Sequence, residues 1–444
     1  MTKQPVSYNL LWWLIAIAAL AFALRIGYQS GIGAIRDSSG EILEALQNGR
    51  ISLYFYFQHA ILFIFNSQDL RIVTTIQALL DSFTVLAIAL ASMALSRKLV
   101  IIAAITAAII PNFIVHSSSI LSETLFLAFF SWGFCALLWA VRSQVVVSRL
   151  WISGLLFGLA LLCRPVLQFF PIFLMPLLAY VLHTRQLSWP RSITLALTPV
   201  FAMTIVATPL LLYNFFNFGY FQLSSQSGPH LLFWVFGCLA TPSPCAERAR
   251  LVAELTPIVA ERTQALGIDR TNEFAISAIE SNLALKLIFA LPVWQVAWGM
   301  IWGAFRNLVQ TGFYQVLTQY NEPQTFFSTI SGTSFLDRLL KFLDVNRSHT
   351  FMILWMLSQG TLLLSRCVQL YGAILGLWRH EYRGSTILLL GTIFYFLLIN
   401  GPIADPKYRM PMEPALIILF AMGVSQLIAK LRGENTAVHE VHSK

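Results

Sequence analysis

The residues of this sequence that could do chemistry are charged side chains placed beside long apolar segments. Asp37 follows the first such segment, Glu123 follows a run of three serines and a short connection, and Arg164 precedes a proline at the end of another segment. A carboxylate can act as a general base or anchor an attacking hydroxyl or amine. A guanidinium binds phosphate through a fixed fork of donors. Charged groups beside hydrocarbon are costly, which makes all three candidates for function.

Structural interpretations of the two carboxylates remain open at this stage. Asp37 could cap a helix over residues 38–47, because aspartate is favoured at that position. Glu123 could complement the dipole of the helix that it begins. Farther along the chain, Lys407 and Arg409 could contact a phosphate or could extend towards lipid headgroups. Arg164, next to Pro165, is harder to explain in that way.

His59 lies in the aromatic segment from Tyr54 to His59. A single histidine is usually a hydrogen-bonded structural residue. Together with Asp37 and Glu123 it would offer nitrogen and oxygen ligands acceptable to several divalent ions. No CxxC or HExxH motif occurs. The sequence therefore requires no metal, and His59 and Glu123 are the residues that could ligate a divalent ion.

The composition indicates an integral membrane protein. Hydrophobic residues make up 57% of the chain and charged residues only 11%, whereas soluble domains are about 25% charged. The net charge of +9 would suggest nucleic acid in a soluble protein. Here no basic stripe is available to follow phosphates, and basic residues accumulate in the cytoplasmic loops of membrane proteins. The sequence therefore predicts membrane lipid, and no nucleic acid, as a partner.

Apolar segments of about 20 residues predict an all-α polytopic membrane protein with about ten transmembrane helices. The predicted spans are Leu10–Tyr28, Ile72–Leu95, Leu99–Ile114, Leu121–Val141, Leu150–Cys163, Val166–Leu182, Ile193–Phe215, Phe351–Leu377, Ser385–Ile399 and Ala415–Leu427. If the amino terminus is cytoplasmic, every short inner loop holds two cations, as the positive-inside rule requires. Both termini are then expected inside, in a bacterial plasma (inner) membrane.

This topology divides the chain into four regions. They are an amino-terminal transmembrane module (1–215) with a first outer loop (31–71) of amphipathic surface helices, an outer-face region with interfacial helices (216–348), carboxy-terminal transmembrane helices (349–430) and a cytoplasmic tail (431–444). Leu283–Phe305 is predicted as one interfacial helix, because a single crossing there would invert every later loop. Cys238 and Cys245, in the outer region, could form a disulfide.

Other features of the spans have structural interpretations. Gly154 and Gly158 have the small-xxx-small spacing of closely packed membrane helices. Asp81 and Arg71 could be a proton-relay pair, but they lie ten residues apart in one predicted helix. We therefore expect Asp81 to pair elsewhere within the bundle.

Under this topology the candidate residues collect at the outer face of the membrane, where they would line a cleft at the boundary between water and lipid. They are Asp37, His59, Glu123, Arg164, Lys407, Tyr408 and Arg409.

In this arrangement the sequence resembles the integral-membrane glycosyltransferases of the GT-C class. It is most similar to bacterial relatives of dolichyl-phosphate-mannose–protein mannosyltransferases and of the lipid A aminoarabinose transferase (the glycosyltransferase 39/83-like family). The resemblance rests on the acid after the first helix, the hairpin with Ser122-Glu123, the segment Gly158–Pro165 and the Tyr-Arg-x-Pro motif at Tyr408–Pro411. The segment from Tyr213 to Gly228 is also similar to a segment of the family.

The resemblance implies transfer of a sugar from a polyprenyl-phosphate donor to a lipid, glycan or protein acceptor at the outer face. It implies that Asp37 is the catalytic base, that Glu123 shapes the same site, and that Arg164 and Arg409 contact the donor phosphate. A single displacement needs only one base, whereas retention commonly needs a second, nucleophilic carboxylate, so inversion is favoured. The alternative is a transporter or flippase for a lipid-linked saccharide, which would predict polar residues near the bilayer midplane and internal repeats.

Overall fold

The computed structural model describes residues 8–32, 52–142, 146–240, 248–312, 316, 330–345 and 349–433, and every regular element in these ranges is helical. In chain order, the helices of the amino-terminal half are α1 (Tyr8–Gly31), α2 (Leu53–Ile64), α3 (Leu70–Met93), α4 (Val100–Ile109), α5 (Pro111–Ser117), α6 (Glu123–Arg142), α7 (Val147–Cys163), α8 (Phe170–His183) and α9 (Trp189–Phe218).

The carboxy-terminal half continues with a second series of helices. They are α10 (Ser227–Ala240), α11 (Arg248–Ala265), α12 (Glu273–Ala290), α13 (Val293–Val309), α14 (Phe335–Val345), α15 (His349–Trp378), α16 (His380–Asn400), α17 (Pro406–Arg409) and α18 (Glu413–Leu431). Helix α2 lies in the predicted first outer loop, of which the structure describes residues 31–32 and 52–71.

Among the described residues, seven helices are long and apolar enough to cross a membrane, and nine spans result if each of two bent helix pairs is one span. Nine of the ten predicted transmembrane segments coincide with one helix each. The predicted span Leu99–Ile114 is bent by 49° between α4 and α5, where Pro111 holds the preceding residue in extended backbone. Helices α7 and α8 are apolar but shorter than the others. The all-α polytopic fold class is confirmed.

The predicted single helix Leu283–Phe305 is wrong, because this segment contains the end of α12 and most of α13. The two helices meet at an angle of 110°. Pro292 causes the break, since its ring excludes the helical conformation for the residue before it. Leu291 accordingly has φ −74° and ψ 149°.

Small residues allow the closest helix contacts in the bundle. A Cβ atom added to Gly154 would meet the carbonyl oxygen of Pro199, and one added to Gly158 would meet the side chain of Val206. The predicted small-residue face of α7 therefore packs against α9. Gly372 of α15 makes a similar approach to the backbone of α18.

Asp81 pairs with the first helix rather than with Arg71. Its carboxylate lies 2.5 Å from Nε of Arg25, and both side chains are buried (1% and 0% exposed). Nη1 of Arg25 also donates hydrogen bonds to the carbonyl oxygens of Ala21 (2.9 Å) and Ala108 (3.0 Å). This ion pair joins α1, α3 and α4 and confirms that Asp81 pairs within the bundle.

The cysteines fall into two groups. Cys238 is disulfide-bonded, while Cys245, its predicted partner, lies outside the described residues. Cys135, Cys163 and Cys367 are free and lie in helices.

Candidate functional site

The hairpin between α5 and α6 is held in place by a chain of buried hydrogen bonds. The hydroxyl of Tyr54 donates to Oε1 of Gln77 (2.6 Å). The amide of Gln77 then donates to the carbonyl oxygens of Ser117 (3.1 Å) and Ser119 (2.7 Å). Helices α2 and α3 thereby fix the hairpin from which Glu123 begins α6.

Glu123 forms an ion pair with Arg164 of the next connection. The carboxylate is nearly buried, at 7% exposed, whereas the guanidinium is 22% exposed. Arg164 adopts extended backbone (φ −146°, ψ 119°) at the end of α7, because Pro165 follows it. The flanking carbonyl groups are anchored, since Ser52 Oγ donates to Cys163 O and the hydroxyl of Tyr395 donates to Val166 O.

A third segment brings Lys407 to the same end of the bundle. Asp405 caps α17 by accepting a hydrogen bond from the backbone N–H of Lys407 (2.9 Å), and Pro406 occupies the first helical position, where no N–H is needed. Asn112 of α5 donates to the carbonyl oxygen of Pro406 (3.2 Å). This bond links the start of α17 to the helix before the hairpin.

His116 joins these segments into one site. This residue of α5 is 3% exposed and interacts electrostatically with Glu123, Asp405, Lys407 and Arg164. Within the described part of the chain, neither of its ring nitrogens has a hydrogen-bond partner.

His230, the first residue of a π-helical turn within α10, is the second histidine of the site. Burial, followed by the positive charges of Arg164 and Lys407, lowers its pKa to about 4. Gly228 allows the start of α10 to pack closely against α12, because a Cβ atom at position 228 would meet the backbone of Ser277. Its N–H donates to Ser277 Oγ (2.9 Å). Turns of this kind occur frequently at functional sites.

We call these residues the polar cluster: His116, Glu123, Arg164, His230, Asp405 and Lys407. Sequence reasoning found Glu123, Arg164 and Lys407 but missed both histidines and did not weigh Asp405 as a site residue. The available signals were local. His116 directly precedes the serine run, His230 lies two residues after the segment that resembles the family, and Asp405 lies two residues before Lys407.

Arg409 and Tyr408 lie beside the polar cluster but are engaged in other contacts. Nε of Arg409 donates to Glu413 (2.6 Å), and Nη1 donates to the carbonyl oxygens of Asn307 (3.1 Å) and Gln310 (2.7 Å). The carbonyl group of Tyr408 accepts from Asn400. Arg409 therefore holds the end of α13 against the start of α18.

Of the two remaining predicted site residues, the structure describes one. His59 is exposed on α2, with Nδ1 3.1 Å from the carbonyl oxygen of Phe55. Asp37 lies outside the described residues. Among those that are described, no group of three or more histidine, cysteine, aspartate or glutamate side chains is arranged to hold a metal ion.

The polar cluster can bind an anion and a polar neutral group next to each other. Arg164 and Lys407 supply two cations from segments more than 200 residues apart. Glu123 orients the guanidinium. The two imidazoles can donate or accept hydrogen bonds. Such a combination suits a phosphate joined to a hydroxyl-bearing group.

Comparison with known proteins gives matches at the level of the fold. No protein-family model matches the sequence, and neither does a curated protein. Two crystal structures of the Archaeoglobus fulgidus oligosaccharyltransferase are similar, one tethered by a disulfide bond to an acceptor peptide containing the NVT sequon and one in complex with Zn and sulfate. The first has a TM-score of 0.54 and 13% identity, and covers 96% of this chain and 50% of that chain. The second has a TM-score of 0.53 and 12% identity, over 95% and 50%.

The present chain thus spans about half the length of the oligosaccharyltransferase that it matches. At this level of identity the likeness concerns the fold and not the reaction. The resemblance drawn from the sequence motifs and the likeness drawn from the structure agree, although they rest on different observations. The chain has the GT-C fold.

Proposed function

We propose that this protein is a glycosyltransferase that moves a sugar from a polyprenyl-phosphate donor to a lipid, glycan or protein acceptor at the outer membrane face. The observation that carries the proposal is the polar cluster, in which Arg164 and Lys407 converge at one end of a GT-C bundle. A polyprenyl phosphate keeps its lipid in the bilayer and presents its phosphate and sugar at the boundary, where such a cluster would meet them.

The reaction that fits this site is a single displacement at the anomeric carbon. The bond from that carbon to the phosphate oxygen breaks while a bond to an acceptor oxygen or nitrogen forms, and the anomeric configuration inverts. The phosphate gains negative charge as it leaves, and preorganised cations stabilise that charge in the transition state. Arg164 and Lys407 have this role in the proposal, and Glu123 positions Arg164.

The acceptor must lose a proton as it attacks. On the basis of the sequence resemblance we assign this proton to Asp37, because a carboxylate held close to the attacking group can accept it. The proposal places no step on a metal ion, since Glu123 is already paired with Arg164. Arg409 is not assigned to the donor phosphate, because Glu413 and two carbonyl groups engage its guanidinium.

Transfer assays with purified variants test this assignment. The donors are undecaprenyl- and dolichyl-phosphate monosaccharides carrying labelled hexoses or pentoses, with lipid extracts, glycans and peptides as acceptors. We expect Asp37→Asn, Arg164→Ala and Lys407→Ala to reduce transfer by about 100-fold. The matched control is Lys98→Ala, which removes an exposed cation. Lys98 follows the carboxy-terminal end of α3, whereas the site lies near the amino-terminal end of that helix.

Full activity in all three site variants would refute the site. If the parent transfers none of the sugars but moves a lipid-linked glycan across vesicles, the protein is a transporter instead.

A further inference from the structure

His116 is a buried member of the polar cluster, and no described protein residue binds its ring nitrogens. Its side chain is 3% exposed. Leaving a buried polar group without a partner costs about 1–3 kcal/mol, and such groups are rare in folded proteins. The His116 imidazole is therefore available to bind a ligand that enters the site.

The neighbours of His116 show that its arrangement differs from the rest of the hairpin. The hydroxyl of Ser117 donates to the carbonyl oxygen of Ile114 (2.8 Å), and that of Ser118 donates to Val115 (2.7 Å). Gln77 is also bound at both ends of its amide. The polar groups of these three neighbours are therefore satisfied within the protein.

The surroundings of His116 indicate the chemistry of its ligand. Arg164 and Lys407 interact electrostatically with it from two other segments, and both are the cations assigned above to the phosphate. In a polyprenyl-phosphate sugar, the anomeric carbon is joined directly to a phosphate oxygen. A group beside the phosphate-binding cations is therefore close enough to reach the sugar as well.

An imidazole matches a sugar hydroxyl better than it matches the phosphate. A neutral imidazole has one N–H donor and one acceptor nitrogen, and a hydroxyl both donates and accepts. We propose that the imidazole of His116 binds a hydroxyl group of the sugar that is transferred. This inference rests on the proposed function and adds a sugar-binding residue that the sequence analysis did not identify.

Binding measurements with two ligands separate sugar recognition from phosphate recognition. The probes are an undecaprenyl-phosphate monosaccharide that the parent transfers and undecaprenyl phosphate without a sugar. We expect His116→Phe to weaken binding of the sugar-bearing probe by about tenfold, the effect of one lost hydrogen bond. Its affinity for undecaprenyl phosphate should be unchanged. Arg164→Ala should weaken both.

Rescue and stability measurements separate binding from a structural role. His116→Asn and His116→Gln each keep a donor and an acceptor, so at least one should recover affinity for the sugar-bearing probe. The Tm of His116→Phe should equal or exceed that of the parent, because the variant removes buried polar atoms without partners. His380→Phe, which changes an exposed histidine at the start of α16, is the matched control.

Three results would overturn the inference. They are an unchanged affinity of His116→Phe for the sugar-bearing probe, an equal loss of affinity for both probes, and a lower Tm than the parent that accounts for the loss. In each case the parent still transfers sugar and the proposed function stands. If the parent neither binds nor transfers any polyprenyl-phosphate sugar, the proposed function itself fails.

Discussion

Comparison of two arginine–carboxylate pairs, Arg25–Asp81 and Arg164–Glu123, shows how similar residues serve different purposes in this bundle. Arg25 and Asp81 are both fully buried, and Arg25 also binds carbonyl groups of α1 and α4. Arg164 retains 22% exposure. It interacts electrostatically with His116 and His230, and Lys407 acts on the same two histidines. A charge inside a membrane protein is a candidate for function by default, but its surroundings decide whether it holds helices together or meets a ligand.

Removing both members of each pair is the strongest test of this comparison. We expect Arg164→Leu/Glu123→Leu to fold but to lose about 100-fold or more of the transfer activity, because the phosphate loses a stabilising cation. We expect Arg25→Leu/Asp81→Leu to retain transfer, since replacing a buried ion pair by apolar residues is often neutral for stability. Transfer rates and Tm values of both double variants provide the check. Equal loss of activity in the two would remove the distinction.

Removing only one member of the buried pair should affect folding instead. Arg25→Leu leaves the Asp81 carboxylate buried without its cation, which costs about 3–5 kcal/mol of stability. The Tm of this single variant in detergent should fall well below that of the double variant. A single variant as stable as the double would show that the pair contributes no coupling.

Asn307 tests whether the segment next to the polar cluster is held in place from α13. Its amide donates to the carbonyl oxygen of Ile403 (2.8 Å), and its Oδ1 accepts from the N–H of Asp405 (3.3 Å). Asn307→Ala leaves these backbone groups without a partner and should cost about 1–3 kcal/mol. We expect a lower Tm and slower transfer, because Lys407 lies only two residues after Asp405 and depends on the same segment for its position. If excess donor restored the transfer rate of the variant, this result would contradict a loss of Lys407 positioning in the bound state.

The pH dependence of stability tests the burial of His230. The pKa of His230 is about 4 in the folded protein and about 6.5 for an unperturbed histidine. Between these values the unfolded chain binds more protons, so the free energy of unfolding decreases as the pH falls from about 6.5 to about 4. His230→Gln should lose this part of the dependence. The free energy of unfolding of both proteins is measured by denaturation at pH values from 7 to 4. Identical slopes of this free energy against pH would contradict the burial of His230.

Much of the fold could be predicted because transmembrane helices are local. About 20 apolar residues satisfy their own backbone hydrogen bonds and match the hydrocarbon thickness wherever they occur. The break at Pro292 shows the limit of this approach, since hydropathy averaged over Leu283–Phe305 does not register a single proline. Pro292 was visible in the sequence, but the length of the apolar segment was given more weight.

The candidate site could be predicted only in part. Glu123, Arg164 and Lys407 are charged residues beside apolar segments, which makes them visible in the sequence. His116 and His230 carry no such signal, because a histidine near a serine run or a proline is usually structural. Arg409 had the same sequence signal as Arg164, yet the structure places it on Glu413 and the end of α13.

The sequence by itself determined that the chain is a bundle of apolar helices and which charged residues lie at their ends, since both properties depend on neighbours along the chain. Only the tertiary structure decided which arginine pairs with which carboxylate and which histidines join the cations. Asp81 has Arg25 as its partner 56 residues away, and His116 and Lys407 are 291 residues apart in the chain. Electrostatic and hydrogen-bonding partners depend on distance in space, and helix packing sets that distance.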